Sequence, residues 1–286
     1  MRTLAAPIGL LLVAMFSIQF GASLAKTLFP VLGPEGTSVA RLAFASLILL
    51  VAWRPWRQRL ARRDVAAVAA YGLALGGMNY LFYLAIARIP LGLAVAIEFT
   101  GPLAVAVLAS RRRADFLWIV LAALGILLVL PITPASSALD LRGVLLALAA
   151  GGCWALYIVA GKRLGARLPG GTAASLGMLA AALAVLPVGL VQSGARLWNP
   201  SALPAALAMA LLSSAVPYSL EMFALKRIPA KTFGVLMSLE PAIGALSGFL
   251  FLHESLTPVQ WLAIGLVIAA SAGTAMTSQG AAPEPA

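Results

Sequence analysis

Two carboxylates stand inside apolar stretches of membrane-spanning length. Glu98 lies in GLAVAIEFTGPLAVAVLAS, residues 92–110, and Glu240 directly precedes Pro241 in the stretch 231–251. A charged acid near the centre of a bilayer costs about 2.5–3.5 kcal/mol on insertion scales, so it needs a wet cavity, a partner or a bound proton. A carboxyl that takes a proton in one state and releases it in another can couple transport to a proton gradient. The competing reading of Glu98 is an interhelical hydrogen bond from the protonated acid, and Glu240 divides evenly between a substrate pathway and helix-to-helix contact. Other polar groups keep helical phase: Gln19, Ser23 and Lys26 at i, i+4 and i+7; Asn79 and Tyr83 four apart; Ser214, Pro217, Tyr218 and Glu221 along one stripe. A small zwitterion needs a cation for its carboxylate, an anion or carbonyl for its ammonium, and donors or acceptors for a hydroxyl. Arg41, Glu98, Asn79, Tyr80, Tyr83 and Ser214 offer that chemistry, with Gln19, Glu240, Tyr218 and Glu221 as further lining candidates. Each stripe could equally serve helix packing, Arg41 could sit structurally against a glutamate, the tyrosines could pack or anchor at the interface, and Lys26 could snorkel.

The elements that must position these groups are membrane helices. The chain has 286 residues, 62% hydrophobic and 10% charged, too little polar surface for a soluble globule of this size. About 20 apolar residues cross a 30 Å hydrocarbon core. Ten segments qualify, near 7–25, 35–53, 65–87, 91–109, 115–131, 142–161, 172–191, 203–224, 231–251 and 257–276. The expected fold is an all-α integral membrane protein of ten transmembrane helices.

The net charge of +11 is spread in a pattern that favours membrane orientation over nucleic acid. The N-terminus and the even-numbered gaps hold fifteen of the basic residues, in runs such as RPWRQRLARR and SRRRAD, whereas the odd-numbered gaps hold Lys26, Arg88, Arg142 and Arg196. The positive-inside rule then predicts both termini in the cytoplasm, with His253 and Glu254 at an external helix end. A basic start, an apolar run and GASLA could also be a cleaved signal peptide, but its removal would disturb this alternation.

An internal repeat sets the architecture. ARIPLGLAVAIEFTGP lies over KRIPAKTFGVLMSLEP, which matches Pro102 with Pro241 and lays Glu240 over Gly101; GPEGTSVA similarly resembles LPGGTAAS. Two five-helix halves, 1–136 and 137–286, are predicted. An odd number of spans per half makes the halves inverted, the common basis of alternating access. With one Cys, one His and no HExxH, no usual metal site or intrachain disulfide can form; no Walker sequence is present, and no clustered nucleophile and base suggests an enzyme.

Residues 79–131, from NYLFYLAIARIPLGLAVAIEFTGP onward, resemble the bacterial inner-membrane threonine and homoserine exporters, a branch of the drug/metabolite transporter superfamily built from two EamA-type domains. SLEPAIGALSGFLFLHESLTPVQWLAIGLVI, residues 238–268, is similar to a hallmark of that superfamily. The resemblance implies a ten-helix inner-membrane exporter of small amino acids, exchanging them for protons without a cofactor, with Glu98 and Glu240 inside family motifs. Expected partners are a small amino acid, protons and the lipid bilayer, with a homodimer among the assemblies that the sequence allows. Efflux of a drug or another metabolite, or a non-transporting sensor or assembly subunit, are the rival readings.

Overall fold

The computed structural model describes residues 5–58, 60–109, 116–129, 140–217, 220 and 236–277. Among these residues the regular elements are helices, with no strand. They are α1 (Ala5–Trp53), α2 (Arg62–Ile86), α3 (Leu91–Glu98), α4 (Thr100–Ala109), α5 (Phe116–Val129), α6 (Leu141–Gly165), α7 (Gly170–Ser193), α8 (Leu203–Ala210), α9 (Glu240–Leu252) and α10 (Pro258–Thr277). Four described helices are individually long and apolar enough to cross a membrane: Ala6–Trp53, Arg62–Ile86, Leu141–Gly165 and Gly170–Trp198. Outward-facing Leu73, Leu108, Val51 and Val191 are each more than half exposed, an apolar girdle that suits lipid.

The first two apolar segments are two helical limbs that meet directly at Gly33, with no intervening loop. Gly33 has φ 73° and ψ 160°, a combination open to glycine, and Pro34 follows without an N–H to continue the ladder. The Thr37 hydroxyl donates to the Gly33 carbonyl at 2.7 Å and stabilises the restart. The chain doubles back there, since Gly21 of the first limb and Arg41 of the second both meet Ser213. The segment near 91–109 is also interrupted, between Glu98 at the end of α3 and Thr100 at the start of α4. Pro102 supplies no donor for the Glu98 carbonyl four residues earlier, so the break falls beside the acid.

Side-chain contacts define the two ends of the bundle. Trp53 packs where a Cβ on Gly171 would fall, next to Pro55, Arg57 and Arg62, and this is the arginine-rich end. At the opposite end Lys26, Ile89, Leu91 and Glu254 meet, and Arg88 pairs with Asp140 at 3.0 Å. α5 and α10 lie antiparallel, with Gly125 against Ala263 and Gly273 against Trp118. The described chain thus starts and finishes at the arginine-rich end. The main core packs α2, α3 and α6 with the first limb of α1 and parts of α8, α9 and α10; a second cluster joins α2, α6, α7 and the second limb of α1. The SRRRAD run lies outside the described residues.

Candidate functional site

Broken helices and free carbonyls build the site from the backbone outward. α8 passes into a π-helical turn, Leu211–Ala215. Pro217 cannot donate to the Ser213 carbonyl four residues before it, and that oxygen instead accepts Arg41 Nη2 at 3.0 Å. The other arm of the guanidinium donates to Asn79 Oδ1, and Asn79 Nδ2 donates to the Leu75 carbonyl at 2.8 Å, which sets the orientation of the amide. Tyr83, one turn along α2, lies beneath the guanidinium with its ring centroid 5.6 Å from Arg41 Cζ. α1, α2 and the π turn therefore hold one cation rigidly, a geometry that arginine meets and lysine does not. Arg41 Nε stays buried with no partner.

This cation faces a cavity of about 280 Å³ between helices. Its polar wall includes Gln19, Arg41, Asn79, Glu98, Tyr157, Ser213 and Glu240, and its apolar wall includes Met78, Phe82, Val95, Trp154 and Met237. Glu98 and Glu240 are 6% and 4% exposed, and the charges that act on Glu98 are Glu240 and Arg41. One guanidinium and two carboxyls thus share a small, buried space, where Coulomb interactions are stronger than in bulk water. Gln19 is 3% exposed, and its Oε1 has no hydrogen-bond partner. An unsatisfied buried acceptor costs about 1–3 kcal/mol, so this wall is better suited to an occupied cavity than to an empty one.

Of the residues singled out in the sequence, Gln19, Arg41, Asn79, Glu98 and Glu240 come together here. Tyr83 is buried behind Arg41 and donates to Met209 Sδ at 3.7 Å, away from the cavity wall. Tyr80 is only partly buried and packs in the cluster between α2, α6 and α7. Ser214 is buried, but its neighbour Ser213 takes the place on the wall, because the π turn adds a residue to the local repeat and shifts the facing position. Tyr218 and Glu221 lie outside the described residues. Lys26 pairs with Glu254 at the end of the bundle opposite the arginines. Sequence reasoning missed Trp154 and Tyr157, three residues apart on one face of α6. Their positions are fixed by an edge-on contact of Trp154 with Phe99 and a tilted stack of Tyr157 on Tyr71.

Comparison with known proteins places this geometry. The EamA-like transporter family matches residues 141–276. The chain is 55% identical to the threonine/homoserine exporter RhtA of Escherichia coli (strain K12) over 95% of its own length and 92% of that protein. Identity and coverage are the same with the RhtA of Salmonella typhimurium (strain LT2). An uncharacterized transporter of Bacillus subtilis, YwfM, is 29% identical over 83% of this chain and 84% of its own. A crystal structure 18% identical in sequence covers 94% of this chain and 97% of that one with a TM-score of 0.59, which shows a shared fold. The broken apolar helices, the absence of strands among the described residues and this degree of identity lead to one conclusion: the chain is a multi-pass membrane protein of the EamA-like transporter family, in the branch that contains the threonine/homoserine exporters RhtA.

Proposed function

We propose that this protein exports threonine, homoserine or similar small amino acids across the inner membrane by exchange with protons. The observation that carries the reading is the meeting of Arg41, Glu98 and Glu240 around one cavity of about 280 Å³. That volume falls just below the roughly 300–1,000 Å³ typical of pockets for drug-sized ligands, and it suits a small amino acid. The substrate carboxylate pairs with Arg41, whose Nε is still without a partner, and the ammonium lies toward the two glutamates. A site that meets both charges discriminates against neutral metabolites, because each unmatched charge would stay buried alone.

In this scheme the two inverted halves, 1–136 and 137–286, rock about the cavity so that it faces each side in turn. The opposite directions of α5 and α10 and the breaks beside Glu98 and Glu240 support it. Glu98 binds a proton when the cavity faces outward and releases it when the cavity faces the cytoplasm, where the substrate ammonium takes its place. Each charge moved adds about 2.3 kcal/mol per 100 mV of membrane potential. The arginine-rich end and both termini face the cytoplasm by the positive-inside rule.

Efflux of preloaded labelled threonine from proteoliposomes with an imposed pH gradient tests the reading. The expected result is faster loss when protons flow inward, with competition from homoserine. Threonine retention equal to that of empty liposomes, whatever the gradient, would refute it.

A further inference from the structure

The bundle end opposite the arginines is pinned by a contact that takes no part in the cavity. Glu254, just past the end of α9, pairs through Oε1 with Lys26 on the first limb of α1. Its other oxygen, Oε2, accepts the Leu91 N–H at 2.8 Å, and Lys26 Nζ also reaches the Ile89 carbonyl at 3.4 Å. The two side chains are only 23% and 14% exposed, so salt screens the pair less than a surface pair. Leu91 opens α3, and the Pro90 that precedes it has no side-chain cap to offer. Glu254 therefore satisfies an orphan N–H and brings negative charge to the positive end of the helix dipole.

The pinned elements are the walls of the cavity. Val95 and Glu98 follow Leu91 at i+4 and i+7 on one face of α3, and both line the cavity, Glu98 about 10 Å along the axis from the pinned end. Ala22 and Gln19, one and two turns below Lys26 on α1, line the facing wall. α3 is held against α9, since a Cβ on Gly92 would stand 2.4 Å from Ala245 Cα. Lys26 and Glu254 thus join the α1 wall to the α3–α9 wall at a single ionic contact. Arg88 and Asp140 at the same end are 41% and 37% exposed, and they tie the end of α2 to the start of α6 rather than α1 to α3 and α9.

We propose that Lys26 and Glu254 form the gate on the outer face, closed in this structure, which separates when the cavity opens outward. This rests on the alternating-access reading above but not on the identity of the substrate. Opening parts the ammonium from the carboxylate and exposes the Leu91 N–H, and water then hydrates all three groups. That offsets much of the lost attraction and keeps the closure reversible. An apolar plug in the same place would gain no such compensation.

The test uses the full-length protein with Cys153→Ser and Ala22→Cys, in intact cells, with a charged, membrane-impermeant methanethiosulfonate added outside. Lys26→Met and Glu254→Gln are each expected to raise the labelling rate of the introduced thiol by at least about fivefold, the size of a population shift of roughly 1 kcal/mol. Parent rates in both single variants overturn the gate. Glu254→Gln keeps an acceptor for Leu91, so it carries the test if Lys26→Met does not accumulate. Labelling requires no transported substrate; a parent that labels as expected but moves no threonine refutes the substrate reading alone.

Discussion

Gly151 of α6 lies against the backbone of Glu98, close enough that a Cβ on Gly151 would stand 2.7 Å from the Glu98 carbonyl oxygen. Gly101 completes the crossing, since its own missing Cβ would fall 1.9 Å from the Gly151 carbonyl. Small residues let α6 pass directly behind the carboxyl-bearing break, where lipid supplies no hydrophobic drive of its own. Gly151→Val should force the helices apart at a cost of about 1–3 kcal/mol. A lower melting temperature in detergent and loss of transport are expected together. Gly152→Val, at a position with nothing within 4 Å, should change neither. Equal melting temperatures for the two variants would remove the crossing as a constraint.

Arg41 serves two acceptors on different helices, the Asn79 side chain and the Ser213 carbonyl. A lysine in its place reaches one of them at a time and lacks the planar fork. Arg41→Lys should slow threonine efflux from proteoliposomes by at least about tenfold, equivalent to 1.4 kcal/mol. Asn79→Leu should act in the same direction, because it leaves the guanidinium with one grip fewer. Parent-like efflux in Arg41→Lys would take this cation out of the substrate site.

Gln19 carries a buried oxygen with no partner, which penalises the empty protein. Replacing it with leucine removes that unsatisfied acceptor at similar volume, so Gln19→Leu should raise stability by about 1 kcal/mol. The same change should weaken threonine binding. Thermal melting with and without threonine checks both: the apo protein melts higher and the ligand-induced rise shrinks. An unchanged ligand-induced rise means that Gln19 does not touch substrate.

Glu98→Gln preserves shape and hydrogen-bonding capacity but holds no exchangeable charge. It should fold and bind yet lose the response of efflux to an imposed pH gradient. Efflux rates measured across gradients of either sign decide the matter. If the parent's dependence on the gradient survives the substitution, the coupling group is elsewhere.

At the solvent-facing end, the hydrogen bond from Arg88 and the Arg142 backbone N–H hold the Asp140 carboxyl below the usual aspartate range. A depressed value means that the native state favours the ionised form. The small stabilisation is present above the unfolded pKa of about 4 and is lost as pH falls through the lower folded value. The melting difference between parent and Arg88→Gln should be positive at pH 7, shrink in high salt and vanish at strongly acid pH. A difference that persists in acid would assign it to packing of the Arg88 stem.

The sequence made the polar half of the site legible, because Glu98, Glu240, Arg41, Asn79 and Gln19 are costly in lipid and so stand out from their surroundings. The aromatic and sulfur wall could not be read in the same way. Trp154, Tyr157, Met78 and Met237 are ordinary in a membrane helix, and only their packing partners decide which way they face. Ser213 was obscured for a different reason: regular 3.6-residue phase selects Ser214, and the π turn at Leu211–Ala215 moves the facing position by one. Lys26 at a segment end looks like an interfacial anchor until a glutamate 228 positions later in the chain is brought beside it.

The turn at Gly33 also governs how the end of the bundle opposite the arginines can be reached. The chain reverses there through a single non-helical residue, so this end of the bundle offers little extended backbone between the first two limbs. Proteases need several residues in open conformation to cut, and an epitope inserted at that corner would have to unwind one limb to be displayed. The short 3₁₀ turns between Gly194 and Ala202, on the same face, offer a less disruptive place for a reporter.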